Sequence, residues 1–131
     1  MMICLGIEGT AHSIGVGVIK DVKGKCRILS NLIKTYQPEK GGIHPREAAN
    51  HHASYIAGLI SDSVHSAGVD FSDIDLVSFS QGPGLGPCLR TAATAARALS
   101  LTLEKPLMGV NHCVAHLEIG RGTVTRCQDP V

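Results

Sequence analysis

The residues whose types and spacing could do chemistry are concentrated in Gly109-Val110-Asn111-His112-Cys113-Val114-Ala115-His116-Leu117-Glu118-Ile119-Gly120. A short apolar strand, Leu107 to Val110, runs into Asn111, a residue type that caps helices through its side-chain oxygen, and Gly120 stands where such a helix would end. His112 and His116 are four positions apart, so on that helix they stack on one face and their imidazoles can ligate one metal ion. Two histidines are an incomplete ligand set, and no anionic or phenolic residue on the same helix face follows in the next few positions to complete it. The pair is not the His-Glu-x-x-His motif of metalloproteases, because Cys113 occupies the position of the general-base glutamate and Glu118 lies on another helix face. The competing reading is two histidines on a solvated helix face.

A second feature is Gln81-Gly82-Pro83-Gly84-Leu85-Gly86-Pro87, between the apolar run Leu76 to Ser80 and an alanine-rich helix that reaches Leu103. A glycine-rich turn from strand to helix has the shape of an anion site, since the first N–H groups of the helix point out of it. It is neither a Walker loop nor the dinucleotide fingerprint, and a tight structural turn explains it equally well.

The elements that hold these features follow from periodicity. Ile3 to Glu8 is an apolar run. After Gly9-Thr10-Ala11-His12, the segment Ser13 to Lys20 alternates Ile14, Val16 and Val18 against Gly15 and Gly17, a hairpin strand with one branched face and one face bare enough for close approach. Asp21 to Gly24 turns into a third strand, Cys26 to Lys34, and Tyr36 to His44 is a loop. Pro45 opens a long helix ended by Gly68, with an inward stripe expected at Ala49, Ala53, Ile56, Ala57, Ile60, Val64 and Ala67, and with His51 and His52 expected at the surface or an interface. The order is therefore a three-stranded antiparallel meander, then helix, strand, helix, strand, helix. This is the α/β, ribonuclease-H-like plan, a mixed sheet with helices on its faces.

Composition bounds the rest. The chain has 131 residues, 44% hydrophobic and 18% charged, with a net charge of +1 and scattered lysines and arginines, so it reads as one globular domain without a nucleic-acid footprint. No apolar run reaches bilayer length and the N-terminus lacks the pattern of a signal peptide, from which a cytoplasmic protein is expected. The five cysteines form no CxxC pair and are expected to be free thiols.

Over essentially its whole length the sequence resembles the N-terminal lobe of the tRNA threonylcarbamoyl transferase family, the catalytic subunit of the KEOPS complex, formerly labelled O-sialoglycoprotein endopeptidase. The resemblance is carried by Gly6-Ile7-Glu8-Gly9-Thr10-Ala11-His12, His44-Pro45-Arg46-Glu47-Ala48-Ala49, Ser80-Gln81-Gly82-Pro83-Gly84 with Leu89-Arg90, and Asn111 to Gly120, whose His-x-x-Ala-His matches the family signature. The wording is of the archaeal or eukaryotic type.

The resemblance implies one ribonuclease-H-like lobe of an actin-like ATPase fold over residues 1–120, with 121–131 a linker towards a second lobe and a further strand reached at Asp129-Pro130-Val131. It implies transfer of the threonylcarbamoyl group from threonylcarbamoyl-adenylate to N6 of the adenosine beside the anticodon, in tRNAs reading codons that start with A. His112 and His116 match the family's metal-binding histidines, for one divalent ion, iron or zinc. Glu8, Gly9 and Thr10 match a substrate-facing segment, in which Glu8 contacts substrate or metal-bound water rather than acting as a base. No catalytic residue is assigned. The remaining metal ligands and the nucleotide loop of the family lie in its second lobe. The implied partners are tRNA, the adenylate, and the kinase and small dimerising KEOPS subunits. The small subunit is expected to dock on the long helix and the alanine-rich helix, where Ala92, Ala95, Ala96 and Leu99 would form a smooth face. The alternatives are an inactive lobe serving only as a KEOPS interaction module and, against the missing glutamate, a metalloprotease.

Overall fold

The computed structural model describes residues 1–124. The chain runs β1 (Ile3–Glu8), β2 (Ser13–Val22), β3 (Lys25–Thr35), α1 (Pro45–Ala67), a 3-10 turn (Phe71–Asp73), β4 (Leu76–Gly82), α2 (Gly86–Leu103), β5 (Leu107–Asn111) and α3 (His112–Thr123). One sheet takes the order β3-β2-β1-β4-β5. The pairs β1–β2 and β2–β3 are antiparallel, and β1–β4 and β4–β5 are parallel, as a meander continued by βα units requires. β2 and β3 extend further than their alternation suggests because the hairpin closes tightly on Lys23 and Gly24, both at positive φ, with the Gly24 N–H donating to Asp21 Oδ1 at 2.9 Å.

One face of the sheet is closed. Leu5 and Ile7 of β1, Ile14, Val16 and Val18 of β2 and Val77 of β4 pack against Ile56, Leu59 and Val64 of α1 and Ala92 and Ala96 of α2. The inward stripe of α1 differs from the one hydropathy predicts: Ala48, His52, Ile56, Leu59, Ser63 and Val64 are buried, whereas Ala53 and Ala57 are exposed. Two polar residues turn the helix, because each finds a backbone carbonyl under it. His52 Nε2 lies 2.7 Å from the Ala11 carbonyl, and the Ser63 hydroxyl donates to the Val16 carbonyl at 3.0 Å. The Ser30 hydroxyl of β3 in turn donates to the Ser63 carbonyl at 2.8 Å. The surface placement expected for His52 is thus wrong: the residue is fully buried, while His51 beside it is half-buried. The smooth outer face expected on α2 is corrected in the same way. Ala92 and Ala96 are fully buried against the sheet, and the groove between α1 and α2 is lined by Ala53, Ile56, Pro87, Arg90, Thr91, Thr94, Ala95 and Ala98.

Among the described residues, the other face is covered by α3 alone, none of whose residues is buried. Ile19, Ile28 and Ile33 of the meander and Val114, Leu117 and Ile119 of α3 stay exposed. α3 does not stop at Gly120. Its last turn is closed by the Val124 N–H donating to the Gly120 carbonyl at 2.9 Å, and Gly122 is helical where a Cβ would stand 3.6 Å from Cys26 Cβ. A glycine costs a helix about 1 kcal/mol relative to alanine, which contacts with β3 and a Glu118–Arg121 pair at 3.0 Å offset. The further strand expected at Asp129 to Val131 lies outside the described residues. Among the described residues, no helix is long and apolar enough to cross a membrane.

Replacing the fully buried Leu5 with alanine is expected to lower stability by about 2–5 kcal/mol, through lost transfer energy and a cavity in the central strand. Ser63→Ala, which leaves the Val16 carbonyl without this donor, is expected to cost about 1–3 kcal/mol. Leu101→Ala, at a site 77% exposed, should change stability by no more than ~0.5 kcal/mol. Urea unfolding of the three variants gives the order, and equal midpoints for Leu5→Ala and Leu101→Ala would contradict the core described above.

Candidate metal and substrate cleft

β1 ends at the sheet's centre, and the loop after it is held from several sides. The Glu8 carboxylate folds back on this loop: Oε1 accepts the Thr10 N–H at 3.0 Å and, in a very short contact, the Thr10 hydroxyl. The Thr10 carbonyl accepts the Leu85 N–H at 2.7 Å, which joins the loop to the turn leading into α2. Gly84 makes that approach possible, since a Cβ there would lie 2.5 Å from the Thr10 oxygen. Gly9 is buried and faces α2: a Cβ on it would meet the Ala92 methyl and Ile14 Cδ1, each at 3.0 Å. Of the three residues expected to face substrate, Glu8 lines the cleft below, Thr10 orients Glu8, and Gly9 lets α2 pack close.

α3 brings the histidines over the same strand end. Asn111 caps it as its type predicts, Oδ1 accepting the Cys113 and Val114 N–H groups at 2.9 and 3.1 Å. The first residue after the cap, His112, has Nδ1 3.7 Å from Glu8 Oε1. Its other ring nitrogen faces His116, with the two Nε2 atoms 3.2 Å apart and the rings nearly perpendicular. Two nitrogens bound to one zinc at about 2.0–2.1 Å stand about 2.9–3.4 Å apart for ligand angles between square and tetrahedral, so this separation suits a shared ion. A carboxylate on the far nitrogen of a ligating imidazole is the usual way its ring is oriented. Among the described residues, no third His, Cys, Asp or Glu joins the pair to complete a site.

Below the histidines lies a cleft of about 440 Å³. Its floor is the bare side of the sheet, Gly6, Gly15 and Gly17, and its walls include Glu8, Ser78, Ser80, Ala115, His112 and His116. Alternation in the meander predicts this bare face correctly. Ser78 and Ser80 escape notice in the sequence, although their period-two placement in an otherwise apolar strand is the available signal. The glycine-rich turn from Gly82 to Gly86 packs behind the Glu8 loop, which favours its reading as a structural turn. Under that loop, Cys88 is fully buried, and burial, with the Glu8 charge adding to it, pushes its thiol pKa up. Burial likewise raises the pKa of Cys4, which contacts Ser78 Oγ at 3.4 Å.

The sequence model of the family described as TsaD, tRNA N6-adenosine threonylcarbamoyltransferase, matches residues 27–131. A probable bifunctional tRNA threonylcarbamoyladenosine biosynthesis protein of Methanothermobacter thermautotrophicus is 57% identical over 130 residues, covering 99% of this chain and 24% of that protein. A tRNA N6-adenosine threonylcarbamoyltransferase of Thermococcus gammatolerans is 51% identical over 130 residues, covering 99% of this chain and 38% of its own length. The chain therefore spans less than two fifths of either relative. Among solved structures, YeaZ from Pseudomonas aeruginosa superposes with a TM-score of 0.69 at 18% identity, covering 94% of this chain and 50% of that one. RuvC from Thermus thermophilus superposes at 0.55 and 16% identity, over 95% and 74% of the two chains. These structural likenesses agree with the strand order and establish the ribonuclease-H-like fold.

Gly84→Ala is expected to push the Thr10 loop off α2 and cost about 1–3 kcal/mol, because its methyl meets backbone rather than a movable side chain. Gly86→Ala, with open space around it, should leave stability and the amide signals of Glu8 and Thr10 unchanged. Thiol alkylation supplies a pH-dependent check. Raised pKa values mean less thiolate at a given pH, so Cys4 and Cys88 should react more slowly at mildly alkaline pH than the exposed Cys26 and Cys113. Peptide mass spectrometry after timed alkylation reads the order.

Proposed function

The chain belongs to the tRNA N6-adenosine threonylcarbamoyltransferase family, and from that membership we propose that it forms the metal-bearing lobe of a transferase acting on tRNA. The reaction moves the threonylcarbamoyl group of threonylcarbamoyl-adenylate to N6 of the adenosine beside the anticodon. N6 bonds to the carbamoyl carbon and loses a proton as the bond to the adenylate phosphate breaks and the nucleotide leaves. The observation that carries this reading is the convergence of His112, His116 and Glu8 on one cleft, with Nε2 atoms 3.2 Å apart and Glu8 behind His112.

Within this proposal, His112 and His116 would hold one divalent ion, iron or zinc, whose Lewis acidity would polarise the acyl-phosphate group. The Glu8 carboxylate, 3.7 Å from His112 Nδ1, would favour a hydrogen on that nitrogen and leave Nε2, which faces His116, free to ligate, and its other edge would contact substrate. The bare floor of Gly6, Gly15 and Gly17 gives the adenylate room to lie against the sheet. The division into a lobe over residues 1–120 and a connecting segment over 121–131 belongs to the same proposal, with α3 carrying the lobe's last helix to Thr123. The second lobe, which the longer relatives have length to contain, supplies the missing ligands and the opposite wall. The exposed apolar residues on the α3 side of the sheet support that reading. KEOPS subunits dock on the outer groove of α1 and α2, rimmed by Ala53, Arg90, Thr94 and Ala98 rather than by Ala92 and Ala96, and the work is cytoplasmic. A metalloprotease is not favoured, because Cys113 replaces the base and Glu118 pairs with Arg121.

Titration of this chain with zinc should shift the His112 and His116 ring signals with micromolar or weaker affinity, about −8 kcal/mol or less favourable, and His112→Ala with His116→Ala should abolish the shift. Submicromolar binding unchanged by the double substitution would remove the metal assignment. Transfer itself needs both walls, because misplacing reacting groups by ~1 Å can cost about 100-fold. The 131-residue chain is therefore expected to leave tRNA unmodified, and a fusion with the remaining length of a relative to modify it, as read by mass spectrometry of digested tRNA. Modification by the chain alone, lost in His116→Ala, would overturn the two-walled reading.

A further inference from the structure

His52 stands where an apolar residue would serve the core more cheaply. It is fully buried, in line with Ala48, Ile56 and Leu59 on α1, and among the described residues it is the largest fully buried polar side chain. Burying an imidazole is costly unless both nitrogens are bonded, and here both are. Nε2 lies 2.7 Å from the Ala11 carbonyl and Nδ1 lies 3.0 Å from His51 Nδ1. A carbonyl only accepts, so Nε2 of His52 carries the hydrogen. In a neutral ring Nδ1 then accepts, and His51 Nδ1 donates to it. His51 is itself held between the Tyr36 and Tyr55 rings, at centroid distances of 5.7 and 4.7 Å. Tyr36 is fixed by its hydroxyl donating to Glu47 at 2.7 Å, and Lys34 lies over the Tyr55 ring. His52 therefore has a set tautomer and a set ring orientation, backed by a stack that reaches the surface.

The carbonyl it grips follows Thr10 directly. Thr10 is bound to the Glu8 carboxylate on the cleft side and to Leu85 on the α2 side, and Glu8 faces His112. We propose that His52 is a positioning residue, which from beneath the β1–β2 loop fixes the Ala11 carbonyl and with it the Glu8 carboxylate against His112. It touches neither substrate nor metal. Its effect on the cleft rests on the proposed function of His112 and His116, whereas its grip on the loop does not.

Nuclear magnetic resonance of the 131-residue chain separates these two claims. In the wild type, long-range proton–nitrogen spectra should show His52 protonated at Nε2 and His51 at Nδ1. In His52→Leu, the Thr10 and Leu85 amides should exchange about tenfold or more faster, while the β1–β2 ladder amides keep their rates. His52→Gln, whose amide can donate to Ala11 and accept from His51, should restore loop protection to within about twofold. Zinc affinity at His112 and His116 should fall severalfold in His52→Leu and recover in His52→Gln. An Nδ1–H tautomer for His52 would overturn the proposal, as would unchanged Thr10 and Leu85 exchange in His52→Leu or equal acceleration of the ladder amides. If His52→Leu does not fold, the wild-type tautomer and His52→Gln carry the test: the Nε2–H tautomer with loop protection retained supports the proposal, and the Nδ1–H tautomer overturns it. A wild type indifferent to zinc would defeat the metal reading and leave the exchange result standing.

Discussion

The bond from the Leu85 N–H to the Thr10 carbonyl is the contact on which the cleft depends. It ties the end of the central strand to the start of α2, and it exists only because Gly84 offers no side chain between them. With Thr10 fixed in this way, its N–H and hydroxyl turn the Glu8 carboxylate back over the strand end, where α3 delivers His112. Two crossovers that are remote in sequence thus meet at one strand end, as ligand sites in parallel α/β sheets generally do.

The sheet is asymmetric for a chemical reason. Branched side chains on alternate positions of β1 and β2 draw α1 and α2 onto one face, and burial there is nearly complete. The opposite positions carry Gly6, Gly15 and Gly17, which bury little area, so α3 crosses this face from β5 to β3 without burying any of its own residues and leaves a cleft beneath it. The same small residues that weaken packing there make room for a ligand. The apolar residues left exposed around it, Ile19, Ile28 and Ile33, mark a surface far less covered than the other face.

Polar atoms settle the placement of α1. Its inward face carries His52 and Ser63 as well as aliphatic residues, and each is satisfied by a backbone carbonyl of the sheet or its loop. Such bonds give orientation where alanine-rich packing alone would allow the helix to rotate or slide. The long helix is therefore indexed to the β1–β2 loop at one end and to the centre of β2 further along.

The sequence by itself determined the strand and helix order, the bare glycine face, the capping by Asn111, and the meeting of His112 with His116, because each rests on local periodicity or on residues within a turn of one another. Family motifs within the chain single out Glu8, which the fold places at the rim of the cleft. Only the tertiary structure decided that Ala92 and Ala96 face inward, that His52 is buried beneath Ala11, that Ser78 and Ser80 share the cleft with Glu8, and that α3 continues through Gly120. Those outcomes turn on partners far away in sequence. A histidine enters a core when a carbonyl 41 residues distant needs its hydrogen, and a glycine stays helical when a neighbouring strand supports the turn. Hydropathy counts neither kind of partner, because it sees each side chain without the backbone that will lie against it.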